Sequence, residues 1–169
     1  NLNSLIFKTP LVSNETINKK THANVYFKLE NLQRTGSFKL RGAGNKISQL
    51  SCDEKSRGIV AYSSGNHAQA VAYTSNFFNI NATIVMPKNA PLIKIQNTKK
   101  YGANIIFYDG LKENREKIAF EIALKENKTL IKPYDDLDII AGQGTAGKEI
   151  AEELLDQNIH PDMYLCCCG

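Results

Sequence analysis

Gly58-Ile59-Val60-Ala61-Tyr62-Ser63-Ser64-Gly65-Asn66-His67-Ala68-Gln69-Ala70-Val71-Ala72, followed by Ala82-Thr83-Ile84-Val85-Met86-Pro87, is the stretch on which the fold turns. Gly58–Tyr62 is a short apolar run bounded by turn formers, which predicts a buried strand. Ala68, Val71, Ala72 and Ser75 recur at helical spacing, which predicts a helix over Asn66–Phe78. Ala82–Met86 is a second strand, stopped by Pro87. A strand, a short polar loop, a helix and another strand make one parallel crossover unit.

The same alternation extends in both directions. Upstream, Val25–Glu30 reads as a strand. Phe38–Leu50 reads as a helix carrying Ala43, Ile47 and Leu50, with Ser37 in place to cap it. Downstream, Pro91 opens a helix that runs to Tyr101, and Asn104–Phe107 is a strand. Leu111–Asn127 is a helix and Thr129–Ile131 a strand. Ile139–Leu155 is a helix with Ala146, Ile150, Ala151, Leu154 and Leu155 on one stripe, and Met163–Cys167 is a last strand. The pattern predicts an α/β protein with parallel open sheets. In such sheets ligands bind beyond the carboxyl ends of the strands.

Composition narrows the function classes. The 169 residues are 42% hydrophobic and 22% charged, an ordinary globular balance that argues against disorder. The net charge of +4 is small and scattered, so neither nucleic acid nor an anionic membrane is expected as a partner. No apolar run approaches the ~20 residues of a membrane span. The opening Asn-Leu-Asn-Ser-Leu-Ile-Phe-Lys lacks the basic and apolar regions of a secretory signal. Cys52 stands alone, and Cys166, Cys167 and Cys168 are adjacent, without disulfide or zinc spacing; a reducing cytoplasmic setting follows. The three adjacent cysteines read as small side chains packing a buried strand. The abrupt end at Gly169 reads as a strand entering a turn, so residues 1–169 are expected to be the first part of a longer protein.

Three loops carry chemistry. In Gly36-Ser37-Phe38-Lys39-Leu40-Arg41-Gly42-Ala43 a lysine opens a helix. The positive dipole end and burial both favour its neutral amine, the form that Schiff-base chemistry needs. The plain alternative is a solvated lysine on an amphipathic helix. In Ser63-Ser64-Gly65-Asn66-His67, hydroxyls and helix N-terminal N–H groups make an anion site for a carboxylate or phosphate. The alternatives there are that Ser64 or Asn66 only caps the helix and that His67 is structural. Gly142-Gln143-Gly144-Thr145-Ala146-Gly147 spells a dinucleotide fingerprint, with Asp162 twenty residues after Gly142. It does not leave a strand directly, and Asp162 begins a strand instead of following one. A non-catalytic nucleotide-binding module therefore remains the rival reading of weakest context.

Taken together and in order, these loops resemble the fold-type II enzymes that use pyridoxal 5'-phosphate (PLP). Within them the sequence is most similar to the threonine/serine dehydratase and serine racemase family. The resemblance runs from Thr9-Pro10-Leu11 through Lys28–Ala43 and Ser63–Gln69. It continues in Ile84-Val85-Met86-Pro87, Tyr101-Gly102-Ala103 and Ile140–Thr145. It implies a two-domain architecture like that of the tryptophan synthase β chain, incomplete in this chain. A small mobile domain would span residues 57–136. Residues 1–56 and 137–169 would belong to the large domain.

The resemblance also implies roles. Lys39 would carry PLP covalently, Phe38 would pack beside its ring and Asn66 would bond its 3-hydroxyl. Gly169 would begin the Gly-rich loop for its phosphate. Ser63, Ser64, Gly65, Asn66 and His67 would bind the substrate carboxylate, and Ser64 would serve as the acid/base opposite Lys39. Arg115 also matches a position near the site, its alternative being a solvated helix residue. Tyr134 is closer to the aromatic usual in dehydratases than to the Asn of animal-type racemases. The implied activity is elimination of water and ammonia from threonine, serine or another 3-hydroxy amino acid such as 3-hydroxyaspartate. Amino-acid racemisation is the alternative. The implied setting is amino-acid metabolism, isoleucine biosynthesis included. A homo-oligomer is expected, with no metal ligands in these residues and a divalent cation held by the C-terminal half.

Overall fold

The computed structural model describes residues 4–167. Within them the chain forms β1 (Leu11–Ser13), α1 (Glu15–Thr21), β2 (Tyr26–Lys28), α2 (Lys39–Ser48), α3 (Cys52–Arg57), β3 (Ile59–Tyr62) and α4 (Asn66–Phe77). It continues with β4 (Ala82–Pro87), α5 (Leu92–Lys100), β5 (Asn104–Tyr108), α6 (Arg115–Lys125), β6 (Thr129–Ile131) and α7 (Leu137–Leu155). Four strands make a wholly parallel sheet in the order β5-β4-β3-β6. β1 and β2 form a separate antiparallel pair, Leu11 opposite Lys28 and Ser13 opposite Tyr26.

The central strands β3 and β4 are buried on both faces, as is usual in parallel sheets, while the edge strand β5 is partly exposed. Successive residues of a strand point to opposite sides. Ile59 and Ala61 of β3, with Ile84 and Met86 of β4, join a core shared with α2 and α4. Val60 and Tyr62, with Val85 and Tyr108, pack under α6 against Ala119 and Ile122. Leu40, Ala43 and Ile47 of α2 belong to the first of these cores, so α2 is sealed to the sheet through α4.

The chain builds outward from β3 through β4 to β5, then crosses back to lay β6 on the other side of β3. The strand order therefore reverses between β3 and β6. A crevice opens beyond the carboxyl ends of strands at such a reversal.

α2 and α7 approach closely because each presents a glycine. A Cβ built on Gly142 would lie 2.5 Å from the Arg41 carbonyl oxygen and 2.6 Å from the Gly42 Cα. The six residues Gly142–Gly147 are interior to α7, whose start is Asp136, the residue whose carboxylate accepts from the Asp138 and Ile139 N–H groups. The dinucleotide reading is corrected here. The stretch offers no loop and no helix N-terminus, and its first glycine serves helix packing.

Five other expectations are corrected. Residues 163–167 form no strand. Met163, Tyr164 and Leu165 are exposed, and no strand among the described residues runs beside them to supply the hydrogen bonds a strand needs. Cys166 and Cys167 are likewise exposed, not packed in a sheet; Cys168 and Gly169 lie outside the described residues. Ser37 does not cap α2, because Phe38 occupies the cap position and makes no side-chain cap bond. α6 begins at Arg115, not Leu111, because Asn114 Oδ1 accepts from the Glu116 and Lys117 N–H groups. The α7 stripe is partly open: Ala151 and Leu155 are exposed.

Candidate active site

α2 and α4 both begin beside the crevice. Neither is capped by a side chain. Gly65 occupies the cap of α4 and has none to offer, and Phe38 makes no cap bond to α2. α5, which starts after Pro91, also lacks a side-chain cap, whereas α1, α3, α6 and α7 are capped by Asn14, Ser51, Asn114 and Asp136. The first N–H groups of an α-helix have no intrahelical acceptor, so α4 presents bare donors where the loop Ser63–Gly65 turns. The reading of Ser64 or Asn66 as a simple cap does not hold. Ser63 Oγ turns back to accept from Gly65 N at 3.1 Å, while Ser64 and Asn66 are exposed.

Lys39, the first residue of α2, reaches the other half of the crevice. Its Nζ donates to the Pro133 carbonyl at 3.0 Å, two residues beyond the end of β6. It lies 5.3 Å from the centroid of the Phe38 ring. Burial pushes its pKa below the ordinary lysine value. The solvated-lysine reading is set aside: Lys39 is half-buried and aimed at the ends of the strands. β6 pairs β3, so Lys39 and the Ser63–His67 loop stand at the carboxyl ends of neighbouring strands.

His67 lies beneath them. It is 3% exposed, and its Nε2–H donates to the Ile131 carbonyl at 3.3 Å. Desolvation lowers its pKa to about 4, and the nearby Lys39 charge pushes the same way. His67 is therefore neutral at pH 7. Its Nδ1 is buried without a hydrogen-bond partner among the described residues, as are the hydroxyls of Thr35 and Ser37 just before Lys39.

A second polar group stands at the end of β3. The Arg115 guanidinium lies 5.6 Å from the centroid of the Tyr62 ring, and the Tyr134 hydroxyl is 3.5 Å from a Glu116 carboxylate oxygen. Burial, then the charge of Glu116, raises the Tyr62 pKa. Arg115 thus stands by the carboxyl end of β3, and no ion pair of it is found among the described residues.

Residues that sequence reasoning did not single out shape the site from outside. Arg41, the third residue of α2 with a fully buried side chain, bonds both Glu30 (2.8 Å) and Glu149 (2.6 Å) and also reaches Thr145. Lys28 joins Glu149 and Glu153. Burial pulls the Arg41 pKa down, but the two carboxylates outweigh it and hold it above the ordinary arginine value. Asn66 Oδ1 accepts from Lys94 Nζ of α5 at 2.8 Å. Nothing local in the sequence marks these pairs, whose members lie from 11 to 125 residues apart. A surface hollow lined by Asn76, Asn81 and Gly102 is at the opposite, amino ends of β4 and β5. Among the described residues no cluster of three or more His, Cys, Asp or Glu is placed to hold a metal ion. No helix there is long and apolar enough to cross a membrane.

A half-buried amine whose pKa is lowered at a helix start, an uncapped helix N-terminus on the neighbouring strand's loop and buried polar atoms without partners fit an aldehyde cofactor that also carries a ring hydroxyl and an anionic group. The fold and crevice define an α/β cofactor-binding unit of the switch-point kind. The family model described as pyridoxal-phosphate dependent enzyme matches residues 2–169, and the chain belongs to that family, in its fold-type II branch. The chain is 49% identical over 147 residues to the L-threo-3-hydroxyaspartate ammonia-lyase of Saccharomyces cerevisiae, covering 87% of the chain and 45% of that protein. It is 48% identical to the serine racemase of Schizosaccharomyces pombe, covering 87% and 46%. The solved threonine deaminase isoform 2 of Solanum lycopersicum superposes with a TM-score of 0.84 at 37% identity, over 92% of this chain and 45% of that one. The chain spans about half the length of the curated relatives it matches.

Proposed function

We propose that the full-length protein is a PLP-dependent enzyme that removes ammonia from a 3-hydroxy amino acid, with racemisation as a second activity of the same site. The observation that carries this is Lys39 Nζ, its pKa lowered by burial and its position fixed by the Pro133 carbonyl beside the open N-terminus of α4. Relatives named for hydroxyaspartate ammonia-lyase, serine racemase and threonine deaminase activities support the class.

Bound PLP would supply an electron sink for the negative charge left when the substrate α-proton departs. Lys39 would hold the cofactor covalently and, when released, take that proton. The N–H groups at the head of α4, with Ser63, Ser64 and Gly65, would bind the substrate carboxylate and fix the Cα–H bond in a productive direction. Phe38 would flank the ring, and the Asn66 amide would bond its 3-oxygen. His67 stays neutral beneath the loop, so it adds no charge that would compete for the carboxylate. Elimination expels the β-hydroxyl as water, and hydrolysis then returns a water, so the hydroxy amino acid becomes a 2-oxo acid and ammonia. Ser64, exposed at the loop tip, would exchange the proton on the face opposite Lys39 and so give racemisation.

Arg115 favours a substrate with a second carboxylate, such as 3-hydroxyaspartate, because a guanidinium beside the crevice matches that group. Residues 57–136, which contain the parallel sheet and the anion loop, would move as the small domain that closes over substrate.

Borohydride reduction of the PLP-loaded full-length protein, followed by peptide mass mapping, tests the reading. A cofactor mass on Lys39 is expected, and Lys39→Ala should lose both label and turnover. Turnover retained by Lys39→Ala would overturn the assignment. Ser64→Ala should lose D-amino acid formation far more than 2-oxo acid formation. Equal losses would reduce Ser64 to carboxylate binding.

A further inference from the structure

α4 and α5 are joined by three contacts in one register. Lys94 Nζ donates to Asn66 Oδ1 at 2.8 Å, and Asn97 Nδ2 donates to Gln69 Oε1 at 2.9 Å. The rings of Tyr73 and Tyr101 meet edge to face with centroids 5.2 Å apart. Each pair is separated by 28 residues, as Tyr73 and Tyr101 also are. The three rungs climb α4 from its first residue to its eighth. The upper two join side chains deeper in the helix pair, where Gln69 is buried and Tyr73 half-buried. The first ends on exposed Asn66, at the loop that opens the crevice.

The first rung contributes little to holding the helices. An exposed polar pair is worth less than about 1 kcal/mol, and the upper rungs already fix the helices. Its effect falls on the chemistry of Asn66. An amide side chain has two ends of opposite sense, an oxygen that accepts and an NH2 that donates. A lysine ammonium can only donate. Lys94 therefore engages Oδ1 and leaves Nδ2 as the end that meets a ligand.

We infer that Lys94 is a positioning residue: it fixes the Asn66 amide so that Nδ2 donates to an anionic oxygen of the bound cofactor. The inference rests on the reading that Asn66 meets the PLP 3-oxygen. Without Lys94 the amide is free to turn its oxygen toward that oxygen, where two acceptors repel. A donor aimed at the 3-oxygen favours its deprotonated form. Losing the donor therefore raises the pH at which that oxygen gives up its proton.

The test uses the full-length protein loaded with PLP, comparing wild type with Lys94→Met, Lys94→Arg, Asn97→Ala and Asn66→Ala. The readouts are the PLP dissociation constant and the pH midpoint of the visible band, with thermal melting as the folding control. Lys94→Met should weaken PLP about tenfold, the size of one charge-assisted hydrogen bond, and move the midpoint upward. Lys94→Arg, which keeps a cationic donor, should recover most of both. Asn97→Ala should lower the melting temperature and leave the midpoint in place. An unchanged midpoint in Lys94→Met, while Asn66→Ala shifts it, overturns the role of Lys94 alone. An equal shift in Asn97→Ala overturns it too, because helix placement would then be the cause. If Asn66→Ala moves neither readout, the reading of Asn66 itself falls and takes this inference with it.

Discussion

The parallel sheet and the α2–α7 seam hold the same molecule together by opposite means. β3 and the first five residues of β4 are buried, and all but Thr83 among them are apolar. Their stabilisation is non-directional and proportional to area. The seam instead buries Arg41 and Lys28 among Glu30, Glu149 and Glu153, with two glycine backbones in contact. A buried ion network adds little net stability over an apolar packing of equal shape, but it is costly to break. The seam is therefore specific and brittle, while the sheet is tolerant. Lys39 belongs to the helix that the seam fixes, and the anion loop to the strand that the sheet fixes.

Four predictions bear on this contrast. Arg41→Met leaves Glu30 without its cation and Glu149 with Lys28 alone, and should cost about 3–5 kcal/mol in urea unfolding. A loss under 1 kcal/mol would show that the seam is not brittle. Gly142→Ala forces a Cβ against the Arg41 carbonyl and should cost about 1–3 kcal/mol. A neutral outcome would mean the helices part freely. Ile84→Val removes one methylene from the sheet core and should cost only about 0.5–1.5 kcal/mol; a loss matching that of Arg41→Met would erase the contrast.

The last effect is a pH dependence that is small near neutrality. The His67 pKa is about 4 in the folded chain against 6.5 ordinarily, so the unfolded chain binds its proton first. Stability must then fall as pH drops through 6.5 and level off below about 4, with about 0.7 kcal/mol lost between pH 7 and 6. His67→Gln should remove that slope. The seam answers in a different window. Burial raises the Glu149 pKa but its bonds to Arg41 and Lys28 bring it below the ordinary 4.5. Its contribution is present above that value and is lost only as pH falls further. Calorimetry across pH 3–7 separates the two windows, and a single merged transition would refute the division.

The sheet and its loops were legible in the sequence because their signals are local. Gly58–Tyr62 and Ala82–Pro87 are apolar runs with clear stops, and Ser63–His67 could only be a strand-to-helix loop. α1 and α3 gave no signal: they bury no residue and exist through the Asn14 cap and the Ser51–Glu54 capping box. Met163–Cys167 has strand composition, but strand formation is decided by neighbours, not by composition. Gly142–Gly147 shows the same limit in reverse. Its spacing suits a phosphate loop, yet the Asp136 cap had already started a helix six residues earlier, and tertiary packing used the glycine. Lys39 was legible through its position at a helix start. Its acceptor, the Pro133 carbonyl, was not, being 94 residues away.

The constant 28-residue offset between α4 and α5 also bears on how this part of the chain can change in length. One residue added inside either helix turns everything beyond it by ~100°, which would unhook the rungs on one side of the insertion together. The loops at Asn79–Asn81 and Lys88–Ala90 lie outside the rungs, and a surface loop absorbs extra residues at small entropic cost. Tolerated insertions and deletions should therefore collect in those two loops, while Asn66–Tyr73 and Lys94–Tyr101 keep a fixed length, as two halves of one part.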